Sequence, residues 1–121
     1  MSLSSKKYYG LEGENKVVTF LIQHNYTILE RNFSVRGGEI DIIAQKNDTI
    51  AFVEVKTRNI AYFNTSQVVT HTKQKKIIFA AKQYLLRHPS LEKSLRFDVA
   101  LVEGTTYHIT YIPHAFSENI A

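Results

Sequence analysis

The chain has no cysteine, which excludes a disulfide scaffold and a cysteine-ligated zinc site. The opening Met1-Ser2-Leu3-Ser4-Ser5-Lys6-Lys7 lacks the hydrophobic stretch of a signal peptide. No run approaches the roughly 20 apolar residues of a membrane span, so the expectation is a cytoplasmic chain with no membrane partner. The five histidines, His24, His71, His88, His108 and His114, show no ligand spacing of the His-x-x-x-His kind. There is no phosphate-binding loop, no Gly-x-Ser-x-Gly, no dinucleotide fingerprint and no helix-turn-helix or zinc-finger pattern. Internal repeats, low-complexity stretches and linkers are absent as well.

What is present is enough for one globular core. The length of 121 residues suits a single domain, and 44% hydrophobic residues is a globular composition. Residues 1–9 read as a flexible N-terminal segment, 10–116 as the domain and 117–121 as a tail. Gly10 to Gly13 opens a helical pattern through Asn25, with Val17, Val18, Leu21 and Ile22 at helical spacing. Tyr26–Val35 reads as a strand, and Gly37-Gly38 as the turn into a second, Glu39–Gln45. Thr49–Lys56 is the third strand, and Asn59–Val69 a loop. Thr70 or Thr72 caps a helix to His88, with Ile77, Ile78, Ala81, Leu85 and Leu86 as its buried stripe. His88-Pro89 stops it. Leu95–Val102 and Thr106–Ile112 complete an order α-β-β-β-α-β-β, an α/β class with a mixed central sheet of about five strands flanked by helices.

Formal net charge is +4, distributed unevenly. Lys73, Lys75, Lys76, Lys82, Arg87, Lys93 and Arg96 stand against one acid, Glu92. A basic zone of this kind suits a polyanion, although a solvated helix face has the same composition.

Two short segments carry the chemistry: Gly38-Glu39-Ile40-Asp41 and Val53-Glu54-Val55-Lys56. With a tight turn at Asn47-Asp48, Lys46 pairs with Thr49, Asp41 falls opposite Glu54, and Glu39 opposite Lys56. Opposed residues in an antiparallel pair have Cβ atoms roughly 4.5–5.5 Å apart, and like charges there repel. Strict alternation puts Glu39, Asp41, Ile43, Ile50, Phe52, Glu54 and Lys56 on one face, and Ile40, Ile42, Ala44, Ala51, Val53 and Val55 on the other. Both faces are apolar near the middle, which marks a sheet covered on both sides. Two carboxylates buried this close need positive charge, and a divalent cation is the strongest candidate.

Mg²⁺ or Mn²⁺ suits carboxylate and carbonyl oxygens and keeps several waters. Asp41 and Glu54 supply two carboxylates, the Val55 carbonyl a third oxygen, and Glu39 is either an extra ligand or a partner for Lys56. Lys56 shares a face with Glu54 and can orient a water or neutralise a phosphate. Glu14, at the start of the first helix, is either an auxiliary acid or a simple helix-start carboxylate. Together these residues suit metal-dependent phosphodiester hydrolysis.

Gly13-Glu14, Arg31-Asn32-Phe33, Gly38-Glu39-Ile40-Asp41-Ile42-Ile43, Phe52-Val53-Glu54-Val55-Lys56-Thr57-Arg58, Lys73 to Lys76, Arg96-Phe97-Asp98-Val99 and His114-Ala115-Phe116 occur in this order. In them the chain resembles the bacterial YraN family from about Gly10 to Phe116. That family looks like a branch of the PD-(D/E)XK nuclease superfamily, with a restriction-endonuclease-like fold, and is similar to archaeal Holliday-junction resolvases. The resemblance implies metal ligation by Asp41 and Glu54, Lys56 as catalytic lysine, Glu14 as auxiliary acid, and Lys73 as a polar residue reaching the site. Ile40 stands where the superfamily's name has proline, a position that ligates nothing.

The expectation is therefore an endonuclease acting on DNA, with branched or damaged structures among the candidate substrates, in repair or recombination. The alternative is a nucleic-acid-binding module on a nuclease scaffold without turnover. A third reading is a buried ion-pair cluster with no ligand. Lys73, Lys75, Lys76, Arg36 and Arg58 are the candidate phosphate contacts, and Tyr8, Tyr9, Tyr62 and Phe63 candidate stacking surfaces. A symmetric homodimer would suit a junction substrate. Arg96 and Asp98 are expected to pair on one strand face.

Overall fold

A computed structural model describes residues 2–59, 69–89 and 93–118, with side chains from Gly10 onward. The elements run α1 (Ser2–Gln23), β1 (Thr27–Val35), β2 (Gly38–Lys46), β3 (Thr49–Arg58), α2 (His71–Leu86), β4 (Ser94–Glu103) and β5 (Ile109–Phe116). The strands form one sheet in the order β1-β2-β3-β4-β5. Strands β3 and β4 are parallel and every other neighbouring pair is antiparallel. A parallel pair requires a crossover, and α2 lies on it. The result is the expected α/β architecture, consistent with a restriction-endonuclease-like fold. No helix among the described residues is long and apolar enough to cross a membrane.

Each face of the sheet is covered by one helix. On the α1 side, Val17 and Leu21 pack with Ile42, Ala44, Ala51, Val53, Ala100 and Val102. On the α2 side, Ile77, Ala80, Ala81 and Tyr84 pack with Ile40, Ile43, Ile50, Phe52 and Phe97. The strands at the centre are apolar on both faces because both faces are buried.

Glycines set two close approaches. A Cβ on Gly13 would meet Thr57 Oγ1 at 2.2 Å, and one on Gly38 would meet the Lys76 carbonyl oxygen at 2.2 Å. So α1 lies directly on the end of β3, and the β1–β2 turn directly on α2.

The helix stripes differ from the sequence pattern in detail. Ala80 and Tyr84 are buried on α2, whereas Leu86 is 74% exposed, and Ile22 on α1 is exposed too. Leu86 is the last helical residue, outside the stripe that Ile77, Ala80, Ala81 and Tyr84 bury. Helix α1 runs back to Ser2, ahead of the Gly10 start that its apolar spacing suggested. Strand β5 begins three residues later than predicted. The Glu103 carboxylate accepts from the N–H groups of Thr105 and Thr106 and from the Thr106 hydroxyl, drawing those residues into the turn. Pro113 then falls inside β5, an edge strand, where a missing donor is tolerated.

Asp98 and Arg96 pair on β4 as expected. Arg96 Nε and Nη2 donate to the two Asp98 oxygens at 2.8 Å each. The Tyr111 hydroxyl and the His114 N–H, both from β5, donate to the same carboxylate.

Candidate functional site

The β2–β3 hairpin has the register its sequence predicts. Pairs run from Lys46↔Thr49 to Ile42↔Val53, around a turn with Asn47 at φ 53°. There the ladder ends. The next N–H of β3, on Val55, donates instead to Asp41 Oδ2 at 2.8 Å. A side chain thus replaces a backbone acceptor, parts the two strands, and fixes Asp41 beside Glu54.

The strict alternation expected along β2 does not hold. Ile40 packs in the α2-side cluster, whereas Ile42, two residues on, packs against α1. The pleat changes phase at Asp41. Its partner strand changes phase at the same level, where Asn32 takes a left-handed φ of 52° between the pairs Arg31↔Ile42 and Phe33↔Ile40. Asparagine tolerates that conformation better than most residues. Arg31 accordingly reaches α1, bonding Asn15 Oδ1 at 2.7 Å, while Phe33 meets the Tyr84 ring of α2 edge-on. The slip aims Asp41 at the seam between the two faces.

Glu54 is 3% exposed. Its Oε2 lies 3.7 Å from Lys56 Nζ and 3.5 Å from Lys73 Nζ. Burial, then the neighbouring Asp41 carboxylate, push its pKa up to about 8, against the opposing pull of Lys73 and Lys56. Strand β3 supplies Glu54 and Lys56, strand β2 Asp41, and the first turn of α2 Lys73. Thr70 caps that helix by accepting from the Lys73 N–H, which sets where the lysine leaves the backbone.

Glu14 enters from α1. Its pKa is raised by burial and by Asp41, offset by Arg31 and Asn32. Its Oε1 is 3.5 Å from Arg31 Nη2 but has no hydrogen-bond partner among the described residues, and neither has the buried Arg31 Nε. Glu14, Asp41, Val55, Lys56, Thr57 and Arg58 line a cavity of about 430 Å³.

Among the described residues no three or more acidic or histidine side chains gather closely enough to hold a metal by themselves. The available donors are two carboxylates and the backbone of Val55, with Glu14 on the wall of the same cavity. An oxygen-only set that leaves positions for water suits a small hard divalent cation and nothing softer.

The other sequence candidates divide. Arg58 lines the cavity and donates to the Thr57 carbonyl. Glu39 is exposed and does not join the pair. It is not opposite Lys56, because the ladder has ended and the pleat has shifted by that point. It lies with Lys73 and Lys76 in a separate groove on the α2 side. Lys75 faces away, beside Phe79, and Arg36 is exposed at the β1–β2 turn. The basic zone is partly spent on partners: Lys82 pairs with Glu118, Lys93 with Asp48 and Arg96 with Asp98. The side chains of Tyr8 and Tyr9, and residues Tyr62, Phe63 and Glu92, lie outside the described set. Arg31 and Asn32 are the residues whose place at the site sequence pattern did not reveal. An arginine on a half-buried strand was the available signal.

The chain matches the family described as "Uncharacterised protein family UPF0102" over residues 13–102. A UPF0102 protein of Geobacter metallireducens is 46% identical over 119 residues, covering 96% of this chain and 97% of its own. One from Desulfosudis oleivorans is 39% identical over 120 residues, covering 98% of each chain. One from Myxococcus xanthus is 35% identical over 116 residues, covering 93% and 92%. The chain belongs to the UPF0102 family, the YraN family of the resemblance above.

Proposed function

We propose that this protein is a divalent-metal-dependent nuclease that hydrolyses phosphodiester bonds in DNA. One observation carries the reading: Asp41, locked by the Val55 N–H, is held against a buried Glu54 whose oxygen already faces two lysines. Setting a half-buried acid against a fully buried one is costly unless cations compensate.

Asp41, Glu54 and the Val55 carbonyl would hold Mg²⁺ or Mn²⁺. When bound, such an ion acidifies a water and offsets charge growing on a phosphoryl oxygen. The chain's own groups do the rest. The two lysines face Glu54 and supply counter-charge whenever it ionises. Lys56, two residues along the same strand, is free to turn from Glu54 to the attacking water or a phosphate oxygen. Arg58 sits at the mouth of the same cavity, where a strand would enter. Glu14 shares the field of Asp41 and can take a proton from solvent near the site. The absence of a base-reading motif favours recognition of backbone and structure, with branched or damaged DNA among the candidates.

The test is cleavage of duplex, single-stranded, flap and four-way substrates with Mg²⁺ or Mn²⁺. Wild type is expected to cleave at least one, and Lys56→Ala and Asp41→Ala none. Equal inertness of wild type and Lys56→Ala on every substrate with either metal overturns the enzyme reading.

A further inference from the structure

We infer that the groove between the Gly37-Gly38 turn and α2 is a second backbone-phosphate site, served by Lys76 and shared with the catalytic carboxylate through Lys73. It rests on the nucleic-acid reading above and makes it specific. The groove has a volume of about 340 Å³ and is lined by Gly37, Gly38, Glu39, Lys73 and Lys76 among others. Lys73 belongs to both places. Its side chain lines this groove, yet its Nζ lies 3.5 Å from Glu54 Oε2. A phosphodiester strand crossing Glu54 would therefore meet Lys56 and Arg58 on one side and Lys73 and Lys76 on the other.

The floor of the groove is fixed. Gly38 is pressed so closely on the Lys76 carbonyl that no side chain fits between them, so the turn is held against the helix turn that carries Lys73 and Lys76. Lys76 makes no ion pair among the described residues, although Glu39 lines the same groove. Its neighbour Lys75 faces a different hollow, beside Phe79 and Lys82. Adjacent lysines of one helix are thus divided between a groove that leads to the site and a surface that does not. Glu39 opposes an anion in the groove and so weakens binding there.

The test is fluorescence anisotropy of a labelled single-stranded oligonucleotide, in EDTA, as a function of salt. Lys76→Ala is expected to weaken binding about threefold to tenfold and to reduce the salt slope by about one. Lys75→Ala should have a much smaller effect, and Glu39→Gln should tighten binding severalfold. Melting temperatures should match wild type throughout. Equal losses in Lys75→Ala and Lys76→Ala, or weaker binding in Glu39→Gln, overturn the groove. The amide resonances of Gly37 and Gly38 should move with the oligonucleotide. If they move as far with inorganic phosphate alone, a small free anion is the occupant and the proposal falls. The two readings fail separately: cleavage without a Lys76-specific binding loss removes the groove alone, whereas a Lys76-specific loss without cleavage removes the nuclease alone.

Discussion

Two buried acids lie on adjacent parallel strands and differ in almost everything else. Glu54 on β3 is 3% exposed and Asp98 on β4 is 0% exposed, and the register places Val53 beside Asp98 and Glu54 beside Val99. Asp98 has an arginine fork on both oxygens, a tyrosine hydroxyl and a backbone N–H. Its donors gain as well: Asp98 holds the Arg96 proton more tightly, and burial followed by Asp98 raises the Tyr111 pKa. Glu54 has two ammonium groups at ion-pair distance, a second carboxylate beside it, and a pKa of about 8. A charge whose lone pairs are all met stiffens the fold. One left short of donors keeps its capacity for something else. Perturbed acids of the second kind mark functional sites more often than structural ones.

The contrast can be broken by mutation, beginning where the effect is largest. Asp98→Ala leaves the half-buried Arg96 and Tyr111 without their acceptor and opens a hole at a fully buried position, and urea unfolding should show a loss of about 3–5 kcal/mol. Glu54→Gln should act in the opposite sense. The folded chain binds a proton at Glu54 up to about pH 8, while an unfolded glutamate releases it near its ordinary value. Between those limits the native state holds more protons than the unfolded one, so stability falls as pH rises. Metal-free Glu54→Gln should lose that slope and exceed wild type at pH 8 and above by up to a few kcal/mol. Its two lysines are part-exposed and can turn to water. Equal pH slopes in the two proteins would remove the distinction between the acids.

Smaller effects sharpen the comparison. Saturating Mg²⁺ or Mn²⁺, at about 100 times its Kd, should stabilise wild type by about 2.7 kcal/mol. At one fixed metal concentration the gain should be larger at pH 8 than at pH 6, because protons compete for Glu54, and it should vanish in Asp41→Ala. Tyr111→Phe removes one of the donors to Asp98 and should cost about 1–2 kcal/mol. Lys93→Ala, which breaks a pair with the exposed Asp48, should cost about 0–1 kcal/mol.

The sequence made the hairpin legible because turn and alternation are local properties. Lys46 and Thr49 fix the register, and a two-residue tip carries it as far as Ile42 and Val53. Thr70 and Pro89 bound α2 for equally local reasons. The phase change at Asp41 was not legible, since it depends on Asn32 of another strand taking a left-handed conformation. That one event separates Glu39 from the acidic pair and brings Arg31 to Glu14. The reach of Lys73 to the acidic site was foreseen only through resemblance, because fourteen residues of chain separate it from Arg58 and no periodicity spans that distance. The edge strand β5 was misplaced by a carboxylate, Glu103, whose hydrogen bonds reshape the turn after it.

Gly13 gives the molecule a spacer made of nothing. With Thr57 Oγ1 where a methyl group would go, substitution by alanine must displace either the Thr57 side chain or the first helix that carries the adjacent Glu14. Two members of the cavity wall, Thr57 and Glu14, are therefore set against each other by a residue with no chemistry of its own, and that fit can be disturbed while every carboxylate and ammonium group around the cavity stays chemically intact.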